Sequence, residues 1–245
     1  MQRGREVLAA VVIALCCHAA FVGAVGSMAY CLAVGLQAGY GTLAGAAAMW
    51  CDLLLVLQFP LLHSWLLSRR GRAAVRRLSP VGHGGTLAVT TYALLASLQL
   101  LLTFWAWSPS HVVWHTPSGL VGIAQWSAFV AAWLFLQKAL WDAGLAVQSG
   151  AAGWWALARG RAVDYGRMPT QGLFARCRQP IYLGFAMVLW FAPVWSLDWL
   201  LLAVGWSAYC VVGPLWKEAR WARLFGDRFT SYRATVPYLL PRFRR

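Results

Sequence analysis

Arg178, Gln179 and Pro180 lie in the run Arg176-Cys177-Arg178-Gln179-Pro180-Ile181-Tyr182-Leu183-Gly184, the densest polar group of a mostly apolar chain. Pro180 suits the first turn of a helix, where its missing N–H costs nothing. Arg178 and Gln179 then stand at the mouth of the apolar run that follows. The unbonded N–H groups of a helix start point to the same place and favour an anion. A guanidinium there can grip a carboxylate or phosphate with two parallel donors. It can equally snorkel to a membrane interface, with Tyr182 as the anchor. A second group comprises Lys217, Glu218, Arg220 and Trp221, followed by Leu224-Phe225-Gly226, Phe229, Tyr232-Arg233 and Val236-Pro237-Tyr238. Glu218 either pairs with nearby arginines or serves as a base. Phe225, Phe229 and Tyr232 fall at i, i+4 and i+7, one face of a helix that could lie on a membrane surface. His63, in Phe59-Pro60-Leu61-Leu62-His63-Ser64, is either a structural hydrogen-bonder or a catalyst. His18 and Asp52 sit inside apolar runs and could meet as a neutralising pair. Lys138 and Asp142 have the i, i+4 spacing of a pair on one helix face.

The elements that must position these groups follow from composition. Of 245 residues, 60% are apolar and 11% charged, where a soluble domain averages about 25% charged. Sixteen tryptophans and a mean hydropathy of +0.59 point the same way. A soluble enzyme, a disordered chain and a zinc or disulfide scaffold are excluded. An all-α polytopic membrane protein remains. A bilayer span needs about 20 apolar residues. Runs at 7–36, 42–67, 86–107 and 120–145 supply four spans. The run at 181–212, broken near Ala192-Pro193-Val194, reads as a hairpin of two helices with a short first arm. About six transmembrane helices and a cytoplasmic C-terminal helix are expected. The organisation expected is a four-helix bundle over 1–149, a Gly/Arg-rich surface connector over 150–171, and a C-terminal unit over 172–245.

The net charge of +14 sorts by topology. Every Lys and Arg except Lys138 falls in the N-terminal tail, the 68–80 link, the 150–171 connector, the 172–180 start of the C-terminal unit or the 217–245 tail. The links at 37–41, 108–119 and 193–198 carry none. With both termini cytoplasmic, every basic segment is inside. The bilayer is thus the expected partner, and no nucleic-acid-binding module is present. The cysteines have no CxxC or metal spacing and read as small buried apolar residues, so no metal is expected. Gly39-Tyr40-Gly41 and Gly82-His83-Gly84-Gly85 lack the strand–turn–helix setting of a nucleotide loop.

Arg178-Gln179-Pro180-Ile181-Tyr182-Leu183-Gly184, the broken hairpin, Glu218, Phe225-Gly226, Tyr232-Arg233 and Val236-Pro237 together resemble the isoprenylcysteine carboxyl methyltransferase superfamily. Leu62-His63-Ser64, the stretch from Thr91 to Ser97 and Phe104-Trp105-Ala106-Trp107 look like its methanethiol S-methyltransferase and NnrU-like branch. The resemblance implies S-adenosyl-L-methionine as methyl donor, held on the cytoplasmic side by Arg178, Gln179, Pro180, Tyr182, Gly184, Glu218, Tyr232 and Arg233. It implies catalysis by Glu218 as base or cofactor contact and by Arg178 as carboxylate holder, on a small thiol or other lipophilic acceptor. Inner-membrane placement in a bacterium goes with it. The family commonly has His where Gln179 stands, two adjacent acids where Lys217-Glu218 stand, and Gln at Leu62. An NADPH-dependent membrane reductase and a non-enzymatic NnrU-like protein or transporter are the alternative readings.

Overall fold

Five stretches of 22 or more residues run as uninterrupted helix wherever the apolar pattern is continuous. A computed structural model describes residues 2–80 and 82–241. The last four residues of the basic tail lie outside the described residues. In chain order the helices are α1 (Gln2–Ala33), α2 (Gly45–Leu66), α3 (Arg69–Leu78), α4 (Gly84–Trp105), α5 (Gly119–Asp142), α6 (Leu145–Gln148), α7 (Ala151–Arg159), α8 (Pro180–Trp190), α9 (Leu197–Phe225) and α10 (Asp227–Thr235). Two short strands, β1 (Val113–His115) and β2 (Trp195–Ser196), pair antiparallel. Helices α1, α2, α4, α5 and α9 are long and apolar enough to cross a membrane. Their outer faces carry large apolar side chains such as Leu15, Val22, Leu54, Leu120 and Leu134, all exposed. That pattern suits lipid rather than water as the solvent. The chain has the architecture of an all-α polytopic membrane protein.

Helix α8 has 11 residues and at 1.5 Å per residue reaches roughly 16 Å, about half the hydrocarbon thickness. Helix α9, with 29 residues, reaches roughly 43 Å and extends beyond it. The expected hairpin is therefore present, with one short arm and one long one. Its turn is fixed by β2, whose Ser196 caps α9 by accepting from the Trp199 N–H at 2.9 Å.

The chain divides into two compact units. The first takes the chain up to Cys31, Ala38–Pro109 and Leu145–Gly166; the second takes Leu32–Gln37, Ser110–Gly144 and the chain from Arg167 onward. This differs from the expected division in two ways. Helix α5 groups with the C-terminal segment, because Gly184 on α8 permits close approach: a Cβ there would lie 3.0 Å from the Leu136 Cα. The 150–171 connector is not all loop. Helix α7 starts after Gly150 (φ +81) and ends at Gly160 (φ +61), both in the region that favours glycine. It packs on α4 through Gly153, where a Cβ would meet the Thr90 Oγ1 at 2.4 Å. Thr90 donates to the Gly150 carbonyl at 2.6 Å and accepts from the Trp154 N–H at 3.1 Å.

Within the first unit the expected pairing of His18 with Asp52 is replaced by two separate contacts. The Trp154 indole N–H donates to His18 Nε2 at 2.9 Å. Buried Asp52 accepts from the Ser108 N–H at 3.1 Å. The connector helix, unforeseen in the sequence, supplied the partner that Asp52 was expected to be. In the second unit Lys138 and Asp142 do pair across one turn of α5. Asp142 also accepts from the Leu173 N–H at 2.9 Å, tying the end of α5 to the 3-10 turn Gly172–Ala175.

Candidate active site

Helix α8 begins at Pro180, as the sequence requires, with Gln179 as its N-cap. The residues before it do not run free. The Arg178 N–H donates to the Pro237 carbonyl at 2.9 Å and the Gln179 N–H to the Tyr238 carbonyl at 3.1 Å. The C-terminal segment is thereby laced alongside the entrance to α8. These backbone bonds place the two side chains against Glu218, about two turns before the end of α9.

Three side chains then form a buried centre. Arg178 Nε donates to Glu218 Oε1 at 2.8 Å, and Nη2 approaches Oε2 at 3.4 Å. Arg178 Nη1 donates to the backbone carbonyls of Arg233 and Val236. Gln179 Nε2 donates to Glu218 Oε1 at 2.8 Å. Arg178 is 8% exposed, Gln179 0% and Glu218 6%, so the ion pair is desolvated and each member depends on the other for compensation. The guanidinium fork is committed to Glu218 and the tail carbonyls. Glu218 Oε2, with only the longer contact, keeps accepting capacity.

A fourth group completes the centre. Lys217 Nζ donates to Gln179 Oε1 at 3.0 Å. Its ammonium lies 4.5 Å from the ring centroid of Trp221, 5.4 Å from Phe174 and 5.8 Å from Tyr182. Ring faces attract a cation at these distances. Gln179 bridges an acceptor-only carboxylate and a donor-only ammonium, which fixes which way its amide points. Gln179 and Lys217, the two positions that read as departures from the pattern the sequence resembles, are therefore bonded to each other.

The remaining expected residues fall nearby or elsewhere. Tyr232 is buried against Met168 and Phe229 and donates its hydroxyl to the Phe174 carbonyl at 2.7 Å. Burial pushes its phenol well above the usual range, so it stays a donor. Arg233 contributes its carbonyl to Arg178, while its side chain is exposed. Tyr182 packs edge-on against Tyr209. Gly184 faces α5 rather than the polar centre. His63 belongs to the first unit, where it is hydrogen-bonded to the Tyr92 hydroxyl at 2.8 Å and stacked on Phe59. Phe225, Phe229 and Tyr232 do not share one helix. The chain turns at Gly226 (φ +49), yet Trp221 and Phe225 of α9 still meet Phe229 and Tyr232 of α10 around Met168. Lys217, Phe174 and Cys177 were not foreseen as site residues. Lys217 had a signal, as a cation beside the acid; Phe174 had none. Burial pushes the Cys177 thiol up, with the Gln179 backbone N–H and the Lys217 charge pulling it down by less. Cys177 is thus a neutral thiol.

Fold and centre together define an integral membrane protein with a buried cation–carboxylate–amide site at the end of a helical hairpin. Curated relatives narrow the class. The chain is 28% identical, over 81% of its length and 74% of the relative's, to a methanethiol S-methyltransferase of Pseudomonas deceptionensis. It is 29% identical, over 80% of its length and 68% of the relative's, to methanethiol S-methyltransferase 1 of Bradyrhizobium diazoefficiens. A methanethiol S-methyltransferase of a Pseudomonas species is 25% identical over 96% of this chain and 91% of its own. No family model matches the chain, and no solved structure matches it. The resemblance to the methanethiol S-methyltransferase branch of the isoprenylcysteine carboxyl methyltransferase superfamily is borne out by these relatives.

Proposed function

We propose that this chain is an integral membrane S-methyltransferase that uses S-adenosyl-L-methionine to methylate a small apolar thiol. The observation that carries this reading is the meeting of Arg178, Gln179 and Glu218 in one buried centre. They come from the sequence blocks that resemble the isoprenylcysteine carboxyl methyltransferase superfamily. The residues fit a cationic, zwitterionic donor in kind. Glu218 Oε2 can accept from its amino group. When bound, the donor supplies an activated methyl on a sulfonium. Everything else falls to the chain. Glu218 holds Arg178 and Gln179 in place; Arg178 clamps the 233–238 segment over the site; the aromatic side chains exclude water. Because charge is neutralised as a thiolate attacks a sulfonium, alignment counts for more than charge stabilisation.

Isothermal titration of the detergent-purified protein tests the donor. S-adenosylmethionine should bind and NADPH should not. NADPH binding alone would favour the reductase reading, and binding of neither would favour a non-enzymatic membrane role.

The topology proposed has both termini and all basic segments in the cytoplasm, following the positive-inside rule. Thr116 and Arg161 are exposed in links without and with clustered arginines. Cysteines introduced at these two positions should react with a membrane-impermeant maleimide from opposite sides of the membrane. Labelling from the same side would overturn the topology.

A further inference from the structure

Among the described residues, Lys217 is the cation of this centre that forms no ion pair. Glu218, its neighbour in sequence, spends Oε1 on Arg178 and Gln179 and points Oε2 to Arg178. The one hydrogen bond of Lys217 among the described residues goes to a neutral amide, the Oε1 of Gln179. An ammonium carries three donors, so two N–H groups are unspent. They are framed by the rings of Trp221, Phe174 and Tyr182. The facing charged or titratable groups are Glu218 and Arg220 on α9 and Cys177 ahead of α8, with Tyr182 on α8. Cys177 is held neutral by burial, so it neither compensates Lys217 nor competes as a nucleophile. With Arg178 and Glu218 cancelling, the leftover charge is positive, and it sits in an aromatic enclosure.

We propose that the Lys217 ammonium is the acceptor subsite and binds the thiol as its thiolate. This rests on the methyltransferase reading above and names the form in which the substrate is used. The ammonium supplies the charge that attracts a thiolate, and the apolar ring walls of the enclosure accept only a short alkyl group. A carboxylate or phosphate would lose far more hydration on entering it. A free thiol is mostly protonated at neutral pH, so its proton leaves to bulk water as the sulfur settles against the ammonium. In the reaction the thiolate lone pair forms the new S–CH3 bond. The S–CH3 bond of the methyl donor breaks, and its electron pair stays on the donor sulfur, which becomes a neutral thioether. One proton is released per methyl transferred, and it is released at binding rather than at transfer. Lys217 gives up no proton; it lowers the cost of the thiolate.

The experiment is calorimetric titration of ethanethiol into the intact, detergent-purified protein at pH 7, without methyl donor, in two buffers of different ionisation heat. The wild type should release about one proton per thiol bound, because the free thiol is protonated and the bound one is not. Lys217→Met, which keeps the stem and removes the charge, should bind ethanethiol about 10- to 150-fold more weakly and release no proton. Lys217→Arg should keep proton release. Circular dichroism and thermal unfolding in detergent serve as fold controls for both variants. Thiol binding by the wild type without proton release would overturn the proposal. So would unchanged proton release in Lys217→Met, or a Lys217→Met protein that loses S-adenosylmethionine binding while keeping the thiol, which would make Lys217 a donor contact. If the wild type releases the proton but methylates no thiol, the subsite stands and the methyltransferase reading falls. If Lys217→Met does not fold, retention of proton release in Lys217→Arg supports the subsite and its loss overturns it.

Discussion

Glu218→Gln is expected to leave a folded protein whose methyl transfer is reduced about 10²- to 10⁴-fold, the range typical of losing a catalytic acid–base or cofactor-contact carboxylate. Glu218 is the only carboxylate among the four polar side chains of the centre and accepts from both Arg178 and Gln179. The amide can still accept at one oxygen, but its NH2 then faces the guanidinium, donor against donor. Arg178 and Lys217 are left with no negative charge between them. Truncation to Ala is harsher, because an uncompensated buried charge costs about 3–5 kcal/mol. The Glu218→Ala protein should therefore unfold at markedly lower temperature in detergent. Arg178→Met combined with Glu218→Leu should recover much of that stability, since apolar replacement of a whole buried pair is often neutral or better, and should remain inactive. Glu218→Gln activity within about threefold of wild type would reduce Glu218 to a structural member of the pair.

Arg178→Ala is expected to weaken S-adenosylmethionine binding by about 10- to 150-fold, through loss of the charge-assisted bond that positions Glu218. The route differs from a bare salt bridge to the ligand. Arg178 Nη1 holds the carbonyls of Arg233 and Val236, so its removal also releases the segment that runs beside Gln179. Hydrogen exchange at the amides of 233–238 should rise in the variant. Arg178→Lys should fall between, because an ammonium is a point charge and cannot bond Glu218 and two carbonyls in the same fixed fork. Arg176→Ala should bind as wild type, because Arg176 is exposed two residues away and that comparison removes general loss of charge as a cause. Equal binding by the two alanine variants would contradict the placement of the donor.

Much of this arrangement was legible in the residues themselves. Long apolar runs become long helices because a helix satisfies its own backbone without water, and the break at Ala192–Val194 became the hairpin turn. Pro180 starts α8 because only a first turn tolerates it. What escaped was tertiary. Helix α7 hides in a Gly/Arg-rich stretch because Gly150, Gly153 and Gly160 serve as cap, contact and cap rather than as loop residues. Gly226 breaks an otherwise regular i, i+4, i+7 aromatic pattern, and periodicity alone cannot see the break. His18 and Asp52 sit at depths that could match, yet each found a nearer partner. Gln179 and Lys217 each read as a departure from the family pattern. The 3.0 Å bond between them makes the two one feature, a neutral amide bridging a cation and a carboxylate.

Transfer of an isotope-labelled methyl group tests the central claim most directly. Purified protein is mixed with methyl-labelled S-adenosylmethionine and ethanethiol, and the headspace is analysed for labelled ethyl methyl sulfide. The account expects the labelled thioether from the wild type, in stoichiometry with donor consumed, and its near absence from Glu218→Gln. A folded wild-type protein that binds the donor yet yields no labelled thioether, or equal yield from the two proteins, would contradict it.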